Sequence, residues 1–283
     1  MAFAEGVFSK IETAMTYQKF FHLCYQENIP LADIRTVLEY VFGFSFSMLG
    51  IKGDEEGIDD TYGKEIIQRL KDGYPAVYLS GYDIIRSNKI YLNENVLIPR
   101  TETIEFLYDH IKNNYDFNNM RILDLCTGSG FIAIALKSLF PKAIIDASDI
   151  SPKALALAGK SALENQKDIH FIRSDFLDGI DSVYDVIVSN PPYIEEDSKE
   201  VDAPFEPSLA LYSGKDGCDS YRRIFASLSS HLSKDGMAFF ELEAAYAEKV
   251  RTLLDEITVY EYITELIPDM ENKPRYLKAR RKR

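Results

Sequence analysis

The chain is short of the features that mark a secreted or membrane protein. None of its 283 residues falls in an apolar run of the roughly 18 consecutive residues expected of a membrane span. An acid, Glu5, comes early, and no apolar segment leads into a small-residue cleavage site, so a secretory leader is not expected. Cysteine is scarce: Cys24, Cys126 and Cys218 are odd in number and far apart. That excludes a disulfide framework and fits reduced thiols in a cytoplasmic protein. His22, His110, His170 and His231 are isolated from cysteines and carboxylates at ligand spacing, so no metal is expected. Internal repeats and low-complexity stretches are missing too.

Positive charge is in deficit, with 32 Lys and Arg against 45 Asp and Glu and a formal net charge of −13. Seven of the cations and no acid lie in residues 273–283, so removing those seven from −13 leaves −20 on residues 1–272. A body this acidic repels a phosphate backbone, which disfavours a duplex nucleic-acid substrate. The basic run Lys278-Ala279-Arg280-Arg281-Lys282-Arg283 reads as a solvated, frayed terminus in preference to a nucleic-acid contact.

What is present is enough apolar material, 46% with 18 Tyr and 17 Phe, for a large domain and a smaller one. Over residues 1–75, Ile11, Met15, Phe20 and Leu23, then Ile34, Val37, Leu38 and Val41, recur at helical steps. Pro30 marks a helix start, and Asp54-Glu55-Glu56 with Asp59-Asp60 reads as an exposed turn. This segment is expected to be a small helical domain. Residues 76–100 suggest a hairpin linker, with short strands at Val77-Tyr78-Leu79 and over 89–93. From 101 to 283, a helix over 104–111 precedes strands predicted at 121–125, 143–148, 169–173, 183–189 and 237–242. Helices are predicted over 131–140, 153–165, 221–232 and 246–256. Such alternation implies an α/β, Rossmann-like domain with a mostly parallel sheet covered on both faces.

The first of these strands runs through Asp124 into Thr127-Gly128-Ser129-Gly130, and a helix follows at once. Glycines let the backbone turn tightly and approach a ligand closely. With Ala133 the spacing is G-x-G-x-x-A, which dinucleotide-binding proteins share. Asp149, about 20 residues on, can accept from ribose hydroxyls in either kind of cofactor. Two features favour S-adenosylmethionine. Asp124 places an anion where a methionine ammonium is welcome and a pyrophosphate is not, although a loop cap would use the same residue. Asp175 and Phe176 end the third strand and offer a carboxylate and a ring for adenine, although Phe176 also suits a core.

The fourth strand runs directly into Asn190-Pro191-Pro192-Tyr193. Two prolines cannot continue a central ladder, so the chain must leave the sheet in a fixed conformation. The Asn190 side-chain carbonyl and the Pro191 backbone carbonyl are two acceptors held together, which suits an NH₂ group with two protons. Tyr193 adds a flat face for a planar amide or amino-heterocycle. An amide or aromatic amino nitrogen is a poor nucleophile because its lone pair is delocalised. Holding both N–H bonds while the Tyr193 ring fixes the plane would orient that nitrogen at a sulfonium methyl. Asn190, Pro191 and Tyr193 are thus the candidate catalytic residues, with Pro192 completing the substrate seat and Asn190 also bordering the cofactor. Glu241 and Glu243 end the fifth strand, either facing the site or solvated.

The sequence resembles the HemK/PrmC family, the protein-(glutamine-N5) methyltransferases that modify peptide-chain release factors. The shared segments are Tyr78-Leu79-Ser80-Gly81, Leu97-Ile98-Pro99-Arg100, the glycine loop, Ser174-Asp175-Phe176, Ser189-Asn190-Pro191-Pro192-Tyr193-Ile194 and Phe205-Glu206-Pro207-Ser208-Leu209-Ala210-Leu211, with Gly214 and Asp216-Gly217 beyond. The resemblance implies a seven-stranded class I methyltransferase domain, a helical domain that contacts the release factor, and a glutamine side chain held by Asn190 and Tyr193. It also implies that Thr127 to Gly130 border the methionine moiety, Asp149 the ribose and Phe176 the adenine, with Arg100 near the cofactor mouth. A monomer is expected. Cys126 stands where the family usually has glycine, implying a different backbone approach. Ile104 replaces the family's carboxylate after Ile-Pro-Arg, and Ile84-Ile85 an aromatic. The motif Asn-Pro-Pro-Tyr also occurs in adenine-N6 methyltransferases of RNA and DNA, which is the alternative function; a non-catalytic cofactor-binding protein is the second.

Overall fold

A computed structural model describes residues 14–198 and 203–282; Glu5, Ile11 and Arg283, used above, lie outside the described residues. The chain divides into two compact units, residues 1–83 and 84–283.

In the first unit, strand β1 (Ala14–Thr16) leads into the helix Tyr17–Gln26, where the Thr16 hydroxyl accepts the Lys19 N–H at 3.1 Å. Pro30 precedes the helix Leu31–Thr36. The side chains of Met15, Phe20, Ile34, Val37 and Leu38 are fully buried together, as the helical spacing requires. The acidic stretch is the expected exposed turn only at Asp54 and Glu55. Glu56–Asp59 is strand β2, antiparallel to β1, and it buries Ile58; Asp59 then caps the helix Asp60–Lys71. Val77-Tyr78-Leu79 is likewise not a strand but part of the helix Ala76–Ser80. Pro75 supplies a fixed φ at its start, and Gly81 ends it at φ +75°.

The division between units falls within β3 (Tyr82–Ile85), which forms a hairpin with β4 (Asn88–Tyr91). The second unit is built on seven strands: β5 (Arg121–Leu125), β6 (Ile144–Asp149), β7 (His170–Arg173), β8 (Tyr184–Ser189), β9 (Leu232–Glu241), β10 (Tyr262–Pro268) and β11 (Pro274–Arg281). Their order across the sheet is β10-β11-β9-β8-β5-β6-β7. The five strands from β9 to β7 are parallel, and only β11 runs against its neighbours. The helices Phe131–Leu139, Pro152–Glu164, Asp219–His231 and Ala247–Ile257 fall within one or two residues of their predicted spans. The helix expected over 104–111 starts earlier, at Thr101, and continues through a π-helical turn, Phe106–Ile111.

The basic end corrects the expectation of a frayed terminus. Residues 274–281 form β11, an interior strand hydrogen-bonded to β10 on one side and β9 on the other. Tyr276, Leu277 and Ala279 are buried, while Lys278 and Arg281 are engaged at its flanks. Lys278 Nζ meets Glu265 at 2.9 Å, and Arg281 donates to the Ser229 and Leu232 carbonyls. Clustered charge hid the apolar pattern Tyr-Leu-x-Ala between the cations.

Removing residues 273–283 is expected to abolish cooperative folding, and Leu277→Ala to cost about 3 kcal/mol. Thermal and urea melts check both, since a solvated tail would leave the midpoints unchanged.

Candidate active site

The site follows from where the strand order reverses. β5 is flanked by β6, next in sequence, and by β8, which comes after the excursion to the far edge at β7. Open α/β sheets bind ligands in the crevice beyond such a switch point. The parallel register pairs Leu125 with Ser189, and the Ser189 hydroxyl donates to the Leu125 carbonyl at 2.7 Å. Cys126 and Asn190 are therefore the first residues past two adjacent strand ends, although 64 positions separate them in sequence.

The glycine loop is closed from beneath by Asp124. That carboxylate is fully buried and accepts from the Thr127 hydroxyl and, at 2.9 Å, from the Ala133 N–H. Of the two readings open from sequence, the loop cap is the one these bonds carry out. Burial drives its pKa up to about 7, against the pull of the Thr127 and Ala133 hydrogen bonds. Gly130, at φ +82°, starts the helix Phe131–Leu139, and a Cβ there would lie 2.9 Å from the Ala158 methyl. Cys126 holds φ +64° where a glycine would rest without strain, so the departure from the family leaves a left-handed backbone in place.

Asp149 ends β6 with its Oδ2 accepting the Gly128 N–H and its Oδ1 the Ser151 N–H, each at 2.9 Å. Burial raises its pKa, and backbone N–H groups at Ser151, Gly128 and Ile150 oppose the rise. A carboxylate has about four acceptor positions, so capacity remains for a further donor.

Beyond these strand ends lies a cleft of about 380 Å³, within the usual range for a ligand of nucleoside size. Thr127, Gly128, Ser129 and Asp149 line one part of it; Asp175, Phe176, Asn190 and Pro192 line another. Asp124, Gly130, Pro191 and Tyr193 are not in its wall. Tyr193 is half-buried, and its hydroxyl points to Glu241 Oε1 at 3.5 Å.

Sequence reading missed Arg223. It lines the cleft from the helix Asp219–His231, reaches Asp175 and Asp178 at 2.9 Å each, and lies 4.8 Å above the Phe176 ring. Nothing local marks it, because 47 residues separate it from Phe176 and a helical arginine usually reads as surface. The segment Phe205 to Leu211 contributes Pro207, Leu209 and Ala210 to the same wall. Its Glu206 accepts the Arg100 guanidinium at 2.6 Å and the Ile98 N–H at 3.1 Å.

The exit from Asn190-Pro-Pro-Tyr193 is held by a short ladder. The Ile194 N–H donates to Leu211 O, the Ser213 N–H to Ile194 O, and the Glu196 N–H to Gly214 O. Gly217, at φ +69°, comes so near that a Cβ would stand 2.5 Å from the Tyr193 carbonyl oxygen.

Two outcomes follow from this geometry. Gly217→Ala displaces the Tyr193 backbone and lowers turnover at least tenfold with cofactor affinity within threefold, as kinetics and calorimetry can test. Because the folded-state pKa of Asp124 lies above its ordinary value, its contribution to stability is complete below about pH 4 and lost as pH rises through about 7. Melting temperatures of Asp124→Asn relative to the parent should therefore rise from pH 4 to 7 and level off above.

Known proteins match along the same residues. The family description "Methyltransferase small domain" fits residues 102–205. A release factor glutamine methyltransferase of Deinococcus radiodurans is 31% identical over 89% of this chain and 91% of its own. One from Lactococcus lactis is 38% identical over 68% and 72%. A ribosomal protein uL3 glutamine methyltransferase of Neisseria meningitidis is 36% identical over 67% of each chain. Among solved structures, a methyltransferase from Pyrococcus furiosus superposes with a TM-score of 0.54 at 16% identity, over 69% of this chain and 90% of its own, a likeness of fold. With coverage this extensive in sequence and a matching sheet, the chain belongs to the HemK/PrmC family of S-adenosylmethionine-dependent protein glutamine methyltransferases.

Proposed function

We propose that this protein methylates the side-chain amide nitrogen of the glutamine in the Gly-Gly-Gln loop of a peptide-chain release factor. The observation that carries the reading is the adjacency of three strand ends: the glycine loop after β5, Asp149 at the end of β6 on one side of it, and Asn190-Pro191-Pro192-Tyr193 after β8 on the other. The cleft fits the cofactor, because Asp149 keeps acceptor capacity for a ribose hydroxyl and no atom comes within 4 Å of a Cβ built on Gly128. When bound there, S-adenosylmethionine supplies an electrophilic methyl group on a sulfonium. Thr127 to Gly130 would border its methionine end, and Asp175 and Phe176 its adenine.

The residues of this chain do the rest by placement. Asn190 Oδ1 and the Pro191 carbonyl would accept the two amide protons, turning the nitrogen lone pair towards the methyl. Drawing on those protons also favours the positive charge that grows on nitrogen during attack. Tyr193, outside the cofactor cleft, would take the amide plane on its ring. Residues 1–75 would recognise the release factor, 76–100 link, and 101–283 carry out transfer, in a cytoplasmic monomer. No single helix among the described residues is long and apolar enough to cross a membrane.

The test offers labelled S-adenosylmethionine with a release factor, its loop Gln→Ala variant, ribosomal protein uL3 and total RNA. Label is expected in the release factor and nowhere else. Undiminished label in the Gln→Ala protein removes the loop glutamine, label in uL3 alone moves the acceptor, and label in RNA favours the adenine alternative. Asn190→Ala should bind cofactor within threefold of the parent and lose about 100-fold or more in kcat.

A further inference from the structure

Glu241, at the C-terminal end of β9, is 1% exposed and takes no part in the chemistry above. Its Oε2 accepts from the Thr103 hydroxyl at 2.6 Å and from the Tyr276 hydroxyl, and its backbone carbonyl accepts from the Tyr221 hydroxyl at 2.6 Å. Its Oε1 faces the Tyr193 hydroxyl at 3.5 Å. Four hydroxyls from four separate segments thus converge on one residue. Two donors on Oε2 fix the plane of the carboxylate and direct its other oxygen at the acceptor motif.

Burying a carboxylate is unfavourable unless hydrogen bonds compensate it, and an apolar residue would pack at this strand end without that cost. Thr103 also lines the cofactor cleft, so the same carboxylate joins the cleft wall to the motif next to it. Tyr193 is already anchored at its backbone, by the Ile194 ladder on one side and the close approach of Gly217 on the other. Its hydroxyl is the free end of the lever. The 3.5 Å separation exceeds the 2.7–2.8 Å usual for two oxygens, and a shift below 1 Å closes it. Such tightening is expected when a substrate occupies an active site.

We infer that Glu241 is a positioning residue. Locked by Thr103 and Tyr276, it holds the Tyr193 hydroxyl and so sets the ring plane against which the acceptor amide is aligned. The inference rests on reading Asn190-Pro-Pro-Tyr193 as the acceptor seat. Misalignment of the reacting nitrogen falls on turnover more than on cofactor binding.

A double-mutant cycle tests it, with Tyr193→Phe, Glu241→Gln and the pair assayed on the acceptor protein. Each single variant should lower kcat about tenfold with cofactor Kd within twofold, and the pair should also lose about tenfold, because both break one contact. Full activity of Tyr193→Phe, or a loss in the pair equal to the product of the singles, overturns the proposal. Should Glu241→Gln fail to fold, Tyr276→Phe serves in its place, with a smaller loss that vanishes in the Tyr193→Phe background; persistence of that loss there is equally fatal. Tyr193→Ala separates the two levels. Full activity of Tyr193→Ala removes the acceptor seat itself, whereas its inactivity alongside independent singles removes only the role of Glu241.

Discussion

The parallel pairing of β5 with β8 is the constraint on which the site depends. Each strand alone ends in an unremarkable polar turn. Their register, Leu125 beside Ser189 with a hydroxyl-to-carbonyl bond across the last rung, brings the glycine loop and Asn190-Pro-Pro-Tyr193 to one rim. A slip of one residue would reverse every side chain of β8 between the two faces of the sheet and carry Asn190 away from the cleft. The fully buried Val186, Ile187 and Val188 make that slip prohibitive. Core packing and active-site geometry are thus one requirement.

Buried carboxylates serve as struts under this arrangement. Asp124 closes the glycine loop from below, and Asp146, lower in β6, gathers the Arg121 guanidinium and the Tyr184 hydroxyl at 2.8 Å each. Glu241 gathers hydroxyls at the C-terminal end of β9. Each sits on an interior strand; Asp124 holds its own loop, whereas Asp146 and Glu241 tie side chains from elements distant in sequence. A polar network in a core has a strong directional preference that apolar packing lacks.

What was legible in the sequence reflects which signals are local. The five parallel strands and four helices were readable because each buries a face through its own periodicity, and Asn190-Pro-Pro-Tyr193 because prolines at a strand end are a local contradiction. β10 and β11 escaped notice because charges interrupt β11 at Lys278 and Arg280, and a strand's partners decide which of its faces is dry. The helix Ala76–Ser80 was mistaken for a strand because five residues are too few to separate the two periods. In the site, Asp149, Asp175, Phe176 and Asn190 could be placed from their strand ends. Glu241 could be placed at its strand end but not assigned to the site over solvent, and Arg223 could not be placed at all, since their roles arise only when β9 and the helix Asp219–His231 are packed beside the loops they touch. The resemblance to HemK/PrmC proteins supplied the significance of Phe205 to Leu211, whose Glu206 holds Arg100; no spacing rule would have singled it out.

The placement of β11 has a consequence for biosynthesis. Residues 274–281 come after every other strand in sequence, yet they occupy an interior position between β9 and β10. Domains fold as units during synthesis, from the N-terminal side. Here the sheet must remain open between β9 and β10 until the last strand has emerged, with an unpaired edge of β9 exposed meanwhile. Completion of this sheet, including the Tyr276 hydroxyl that anchors Glu241, therefore waits on β11.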